Sequence, residues 1–482
     1  MLSEDIEERS WCIETDVIMT WLPCMTCRRR LTQLRTSGSR RRRRLPWMMV
    51  TATLVFLIFS YTGVFETNRT KIKYVPRQHR PEISAIHHHH PNYSLTPEEL
   101  LRELGSTLAA SSVPSVSTEP DWADVQKARV DLMKEHCKRH IFSARKPTYG
   151  IGSILDKNRK LLYCPVEKVA STFMRRFMYS LVHNPHSKTV TYPFHVPIDV
   201  ALKYKYDTTK TIHFRDYNKA LNTKFLFVRE PYSRLFSAFV DKLLVPNDVY
   251  WKWWAVPAVS KFRKSASAKS KRCGNDVTFS EFVKHVISRL HRTDPHVKSV
   301  KALCAPCEMN YTVIGHSETF SRDFRYLVDV LNISFEGNSS FQNLSIDVAK
   351  DAIMDSTNGA FSHYKKLQTC LTKFEMGQRL WTKMQIRGVI SNDLEFPLSE
   401  QEMDEATVRS FMLLLDKAYA QSDNGTQLRE QKTRALSEAF ETVPVEDIRK
   451  LTEIYSLDFE MFGYDKYPDF IASILERDKT AQ

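Results

Sequence analysis

The chain has 482 residues, of which 42% are hydrophobic and 26% are charged. This composition is typical of a globular protein and excludes a fully disordered or collagen-like chain. Lysine and arginine exceed aspartate and glutamate by 70 to 56, and the formal net charge of +14 favours an anionic partner, such as a nucleotide, a nucleic acid or an acidic glycan or lipid. None of the 13 glycines is followed by lysine, which excludes a Walker A loop.

An apolar stretch of 21 residues without a charged side chain spans 45–65. At 1.5 Å per residue it can cross a hydrocarbon core of roughly 30 Å, so it predicts one transmembrane signal-anchor helix. Five arginines at 40–44 precede it directly, and the positive-inside rule then predicts a cytoplasmic tail over 1–44 and a lumenal remainder. A cleaved signal peptide is disfavoured, because the apolar run starts late and is long for such a peptide. A nucleic-acid patch is the other interpretation of the arginines.

The N-x-[ST] glycosylation signals agree with this orientation, because they all follow the apolar stretch. They lie at Asn68, Asn92, Asn310, Asn332, Asn338, Asn343 and Asn424.

Six of the nine cysteines also follow the apolar stretch, where a lumenal compartment permits disulfides. They are Cys137, Cys164, Cys273, Cys304, Cys307 and Cys370. Structural disulfides are expected, in any of 15 connectivities. Zinc or redox chemistry at Cys304 and Cys307 is the alternative.

The lumenal part divides by composition into two segments. Residues 66–125 are rich in Pro, Ser, Thr and Ala without apolar periodicity, which predicts a stem. Residues 126–482 are globular in pattern, and 345–447 within them has an amphipathic, helical pattern.

Strand, loop and helix follow one another twice in the globular segment. Apolar runs predict strands at 161–164 and 224–228, and apolar spacing predicts helices over 172–181 and from Pro231 onward. The second helix has an apolar stripe formed by Leu235, Phe236, Phe239, Val240 and Leu243. This order predicts an α/β fold with a central parallel sheet flanked by helices.

The loop from Pro165 to Thr172 has the features of an anion site. It leads into a helix N-terminus, where unpaired N–H groups and the helix dipole favour phosphate or sulfate. Lys168 adds a positive charge there, and Ser171 and Thr172 add hydroxyl donors. An ordinary turn capped by Ser or Thr is the alternative. In the second unit, Arg229 ends the strand and Ser237 lies two turns into the helix, which suggests a ligand with two separate anionic groups.

Two stretches resemble the 5′-phosphosulfate and 3′-phosphate motifs of Golgi carbohydrate sulfotransferases, and most of all the chondroitin/dermatan branch. They are YCPVEKVASTFMRR (163–176) and KFLFVREPYSRLFSAFVDKL (224–243). Further stretches that match are GNDVTFSEFVKHVIS (274–288), LCAPCEMNYTVIGHSETF (303–320) and LTEIYSLDFEMFGY (451–464). The segment 345–447 matches poorly.

The resemblance implies a P-loop-like sulfotransferase fold and the co-substrate 3′-phosphoadenosine 5′-phosphosulfate. By this resemblance the 5′-phosphosulfate is held by Lys168, Val169, Ala170, Ser171 and Thr172, and the 3′-phosphate is held by Arg229 and Ser237. The family usually has proline where this chain has Glu167, an acid that would weaken donor binding unless it points away or pairs with a base.

Sulfuryl transfer needs a cation at the leaving oxygen and a general base at the acceptor hydroxyl. We assign Lys168 as the cation and His195 as the base, with His213 as its competitor and no metal required. A packed, non-catalytic histidine is the alternative to either base. A basic stretch at 261–272, near Trp251, Trp253 and Trp254, suits an anionic glycan, although a mobile solvated loop is the alternative.

The expected activity is therefore transfer of a sulfuryl group to a glycan or proteoglycan by a single-pass type II protein of the Golgi membrane. No nucleic-acid partner is expected, and the oligomeric state stays open. No two aspartates lie two positions apart, so the Asp-x-Asp motif of a metal-dependent glycosyltransferase is absent. The alternative is a non-catalytic glycan-binding relative whose donor site is weakened, for example by Glu167.

Overall fold

The computed structural model describes residues 121–139, 152–208, 220–338, 344–422 and 425–481. The predicted tail, the apolar stretch 45–65 and all of the stem before 121 lie outside these ranges. Among the helices of the described ranges, none is long and apolar enough to cross a membrane.

The described strands and helices are as follows. The strands are β1 (Ile154–Asp156), β2 (Leu161–Cys164), β3 (Thr189–Val190), β4 (Thr223–Val228), β5 (Val313–His316) and β6 (Ser334–Phe335). The helices up to β6 are α1 (Trp122–Arg139), α2 (Ser171–His183), α3 (Ile198–Lys203), α4 (Pro231–Phe239), α5 (Asp248–Tyr250), α6 (Val256–Phe262), α7 (Ala268–Cys273), α8 (Phe279–His285), α9 (His291–Thr293), α10 (Val300–Cys304), α11 (Pro306–Met309) and α12 (Phe320–Val330). The helices after β6 are α13 (Leu344–Leu367), α14 (Lys373–Ile386), α15 (Glu400–Glu405), α16 (Val408–Ala420), α17 (Gly425–Glu441), α18 (Val445–Ile454), α19 (Ser456–Met461) and α20 (Asp469–Ala481). Shorter turns are 3₁₀-helical at Pro193–His195, Ser317–Thr319 and Glu336–Asn338, and π-helical at Val240–Leu244, Trp251–Ala255 and Val286–Leu290.

The main sheet has the strand order β1-β2-β4-β5, and a smaller one pairs β3 with β6. Strands β2, β4 and β5 are parallel, and β1 adds an antiparallel edge. Every residue of β2 and β4 is buried, as expected of parallel strands covered on both faces. The predicted α/β fold with a central parallel sheet is confirmed.

Both helices that follow the predicted strands are present. Helix α2 starts at Ser171, one residue before the expected start, and α4 starts at Pro231 as predicted. Four of the five stripe residues are buried, and Phe239 is half-buried. The chain continues α4 as the wider π-helical turn Val240–Leu244.

Two hydrophobic cores surround these elements. One includes β2, β4 and β5 with residues of α1, α2 and α12, and the other joins α4 to the helices after 345. Tyr232 of α4 belongs to the second core, where its ring packs against those of Phe440, Phe459 and Phe470. The poorly matched segment 345–447 is helical as predicted, and it shares a core with the second strand–helix unit.

The six cysteines form three disulfides, which answers the open question of connectivity. The pairs are Cys137–Cys307, Cys164–Cys304 and Cys273–Cys370. The expectation of structural disulfides is confirmed, and the zinc alternative at Cys304 and Cys307 is wrong because each sulfur is bonded to a different partner.

The basic stretch 261–272 is largely helical rather than a loop. Its residues belong to the end of α6 and to most of α7, with a short connection between them. Trp251 and Trp254 are buried in the core, whereas Trp253 is 53% exposed. Only Trp253 of the three therefore offers a ring face to a sugar.

Candidate active site

The two predicted anion loops lie side by side. Strands β2 and β4 are parallel neighbours, so the chain leaves both of them at the same edge of the sheet. Arg229 Nη1 donates a hydrogen bond to the carbonyl oxygen of Lys168 at 3.4 Å, and Arg234 Nε donates to the carbonyl oxygen of Glu167 at 3.0 Å. The structure therefore brings Lys168 and Arg229 together.

The loop before α2 has a strained backbone. Lys168 and Ala170 have φ angles of 68° and 54°, a left-handed conformation that costs a residue with a side chain roughly 1–2 kcal/mol. Left-handed residues that alternate with residues of ordinary conformation turn successive N–H groups towards one side and form an anion-binding concavity. The two arginines hold carbonyl groups of the loop, and in a trans peptide the following N–H points the opposite way. The amides of Lys168 and Val169 thus face away from those arginines.

The first turn of α2 has no side-chain cap among the described residues. Ala170 is the N-cap residue, and the Ser171 hydroxyl donates to Glu167 Oε2 at 2.7 Å instead of capping the helix. An ordinary turn capped by Ser or Thr is therefore not what the loop forms. Val169 and Ser171 are buried, Thr172 is half-buried and Ala170 is exposed.

Three ammonium groups surround one carboxylate at this loop. Lys168 Nζ contacts Asp241 Oδ2, Lys383 Nζ lies 3.0 Å from Asp241 Oδ1, and Lys242 Nζ lies 3.5 Å from Oδ2. Burial lowers the pKa of Lys168 to about 8; Asp241 opposes this fall, while Lys242 and Lys383 add to it. Burial would raise the pKa of Asp241, but the three lysines hold it well below its usual value. The cluster therefore has an excess of positive charge that suits an anion.

Glu167, the departure from the family pattern, is paired with a base. Its Oε1 lies 3.4 Å from Arg175 Nη2, in addition to the hydrogen bond from Ser171. Burial would raise the pKa of Glu167, but His296, Arg175 and the Ser171 hydroxyl outweigh it and lower the pKa to about 2. The carboxylate is thus ionised and has its charge compensated within the protein.

The second anion site differs from the first. Glu230 caps α4 by accepting from the amides of Tyr232 at 2.9 Å and Ser233 at 2.6 Å, so a carboxylate already occupies that helix N-terminus. An anion in this unit would depend on the side chains of Arg229 and Ser237, both of which are half-buried.

The predicted general base lies on the surface. His195 is the last residue of the 3₁₀ turn Pro193–His195, is exposed, and has its ring 5.4 Å from that of Tyr192. His213 lies outside the described residues. The role of His195 stays a prediction.

Sequence reasoning missed Asp241, Lys242 and Lys383. Asp241 is four residues after Ser237 on the same helical continuation, so helical spacing could have placed it near the site. Lys383 lies more than 200 residues from Lys168 on α14, and no local pattern connects the two. Across the described ranges, no group of three or more His, Cys, Asp or Glu residues is placed to hold a metal ion.

Residues 152–375 match the model of the sulfotransferase family, and this range contains both loops. Both loops thus lie in the part of the chain that is similar to this family.

Among curated relatives, carbohydrate sulfotransferase 11 of Danio rerio is 32% identical over 232 residues, which are 45% of this chain and 64% of that protein. Carbohydrate sulfotransferase 11 of Mus musculus is 30% identical over 225 residues, 44% of this chain and 63% of that protein. Carbohydrate sulfotransferase 8 of Mus musculus is 28% identical over 254 residues, 50% of this chain and 59% of that protein. The match thus spans less than two thirds of each relative. No solved structure matches the chain. The resemblance carried by the two loop motifs is confirmed.

Proposed function

We propose that the chain transfers a sulfuryl group from 3′-phosphoadenosine 5′-phosphosulfate to a hydroxyl group of a glycan. The observation that carries this proposal is the contact of Arg229 with the Lys168 carbonyl, which joins the two nucleotide motifs at one edge of the sheet. A nucleotide with anionic groups at both its 3′ and 5′ positions suits two cationic loops side by side.

The chemistry of transfer assigns a task to each group. The sulfur–oxygen bond to the donor phosphate breaks while a new bond forms to the acceptor oxygen, and the hydroxyl proton leaves to a base. Negative charge grows on the phosphate oxygen, where an ammonium and helix amides lower the barrier most. Lys168 and the start of α2 would supply these groups, and His195 is the proposed base.

Glu167 does not favour the alternative of a glycan-binding relative without activity. That alternative rests on repulsion between its carboxylate and the donor, but Arg175 and Ser171 compensate its charge.

We further propose a chondroitin- or dermatan-type glycosaminoglycan as acceptor, and a type II orientation in the Golgi membrane. The resemblance to the chondroitin/dermatan branch supports the acceptor, and the apolar stretch 45–65 behind five arginines supports the orientation. Asn310 and Asn332 are exposed, as glycosylation requires. The backbone of Asn338 belongs to a 3₁₀ turn, and the other four signals lie outside the described residues.

The test is incubation of the full chain with donor carrying labelled sulfate and a panel of chondroitin, dermatan, heparan and N-glycan acceptors. Label is expected in chondroitin or dermatan. Label in another glycan alone would contradict the acceptor, and donor binding by calorimetry without any transfer would contradict the enzyme.

A further inference from the structure

The Lys168 ammonium contacts Asp241, and Lys383 from another part of the chain binds the second oxygen of the same carboxylate. Asp241 belongs to the π-helical turn that continues α4, and Lys383 belongs to α14. We propose that Asp241 and Lys383 are positioning residues of the donor site: Asp241 holds Lys168 at the loop, and Lys383 keeps Asp241 paired when Lys168 moves onto the donor. This inference rests on the proposed function and deepens it.

Lys383 is placed as a group with a specific partner rather than as a surface charge. Its side chain is only 3% exposed, and a lysine is almost never buried to this degree unless it is paired. Helix α14 is also fixed against the π-helical turn, because Arg379 Nη1 donates to the carbonyl oxygens of Leu244 at 3.3 Å and Asn275 at 2.7 Å. The distance of 3.0 Å between Lys383 and Asp241 is therefore set by packing on both sides.

Lys383 lies outside the part of the chain that matches the family, which ends at 375. The donor loop is thus completed by a helix of the poorly matched segment 345–447. The shared core of α4 and the later helices gives the reason, because it brings α14 against the π-helical turn.

The arrangement has a physical consequence for Lys168. If Asp241 faced Lys168 alone, moving the ammonium to the donor would leave a half-buried carboxylate unpaired, which is unfavourable. Lys383 binds its other oxygen at 3.0 Å, so Asp241 stays paired and the move costs less. Without Lys383, Asp241 would keep only Lys242 at 3.5 Å, Lys168 would be held more tightly, and the turnover rate would fall.

The pH dependence follows from the groups around Lys168. Asp241 and Lys242 face it from the π-helical turn and Lys383 faces it from α14. Asp355 of α13 and Arg387 act on Lys383, and Asp355 also interacts with Asp241. Burial and the neighbouring Asp241 raise the pKa of Asp355. Asp355 therefore offsets less of the lysines' positive charge than a carboxylate with an ordinary pKa would.

Removing Lys383 takes a cation away and raises the pKa of Lys168; removing the Asp241 charge lowers it. Lys168 is charged below its pKa, so any property that needs its ammonium is lost as the pH rises through that value.

The experiment uses the full chain and the variants Lys383→Met, Lys383→Arg and Asp241→Asn. Lys373→Met is the matched control, because Lys373 lies on the same helix about 15 Å away and binds the carbonyl oxygens of Asp404 and Ala406. For each protein, kcat/KM for transfer is measured against pH. The affinity for adenosine 3′,5′-bisphosphate is measured against pH by calorimetry, which needs no turnover.

We expect kcat/KM and the bisphosphate affinity of the unchanged chain to fall above pH of about 8. In Lys383→Met this fall should move to higher pH and kcat should drop roughly tenfold, whereas Lys383→Arg should keep the original profile. In Asp241→Asn the fall should move to lower pH. A merely structural role would reduce the amount of active protein without moving the midpoint.

Midpoints that stay in place in both Lys383→Met and Asp241→Asn would overturn the inference, and so would an equal shift in Lys373→Met. If Lys383→Met does not fold, Asp241→Asn still decides by the direction in which its midpoint moves, and Lys383→Arg decides by whether its midpoint stays in place. A chain that shows these shifts in bisphosphate affinity but transfers no sulfate would contradict the proposed function and support the positioning role. A chain that transfers sulfate but whose midpoints stay in place would support the proposed function and contradict the positioning role.

Discussion

Replacing Lys168 with alanine removes the cation that we place at the leaving oxygen of the donor. The Lys168 side chain is only 17% exposed, so solvent screens it weakly. For two unit charges about 4 Å apart at an effective dielectric constant of about 20, the interaction is about 4 kcal/mol. Because each 1.36 kcal/mol changes a rate about tenfold, Lys168→Ala should lower kcat by roughly 10³.

The assay is transfer of labelled sulfate at saturating donor and acceptor, which separates kcat from donor affinity. Lys203→Ala is the control, because Lys203 lies on α3 of the same domain with a side chain that is 77% exposed. It should keep the full rate. If Lys168→Ala kept more than a tenth of the unchanged rate while remaining folded, Lys168 would not be the group that stabilises the leaving oxygen.

Three other predictions test the second anion site and the fold. Arg229→Gln should raise the donor KM by roughly 10- to 100-fold and lower kcat less, because a hydrogen bond to a charged group contributes about 1.5–3 kcal/mol; an unchanged KM would place the 3′-phosphate elsewhere. Replacing Cys273 and Cys370 together by alanine opens a disulfide with a sequence separation of 97, which should lower the free energy of unfolding in urea by about 2–5 kcal/mol, and no change would contradict this pairing. Phe177→Ala should lower it by about 3–5 kcal/mol, because this fully buried ring packs 5.0 Å from that of Phe324; a loss below 1 kcal/mol would show a site that collapses easily.

Local sequence was enough to predict the two strand–loop–helix units. Strands β2 and β4 are short apolar runs, and α4 begins at a proline in a favoured first position, so each element is specified within about ten residues. Lys168 and Arg229 could be found in the same way, because each follows a strand. The alternative of a mobile loop at 261–272 did not anticipate α6 and α7, because the charges of this stretch masked their helical turns.

The sequence by itself determined the two buried strands, the helices after them, and the positions of Lys168 and Arg229 in the loops between strand and helix. Hydrophobic periodicity and helix-start signals act over a few residues, so a short stretch contains them in full. Only the tertiary structure decided which cysteines are bonded, how Glu167 is compensated, and that Lys383 reaches Asp241. Glu167 meets Ser171 and Arg175 only through the turn of the loop into α2. The disulfides and the pair of Lys383 with Asp241 join residues far apart in the chain, and this pair forms only when α14 packs against the π-helical turn after α4. That packing is stabilised by the burial of a whole hydrophobic core, whose residues come from many separate stretches of the sequence.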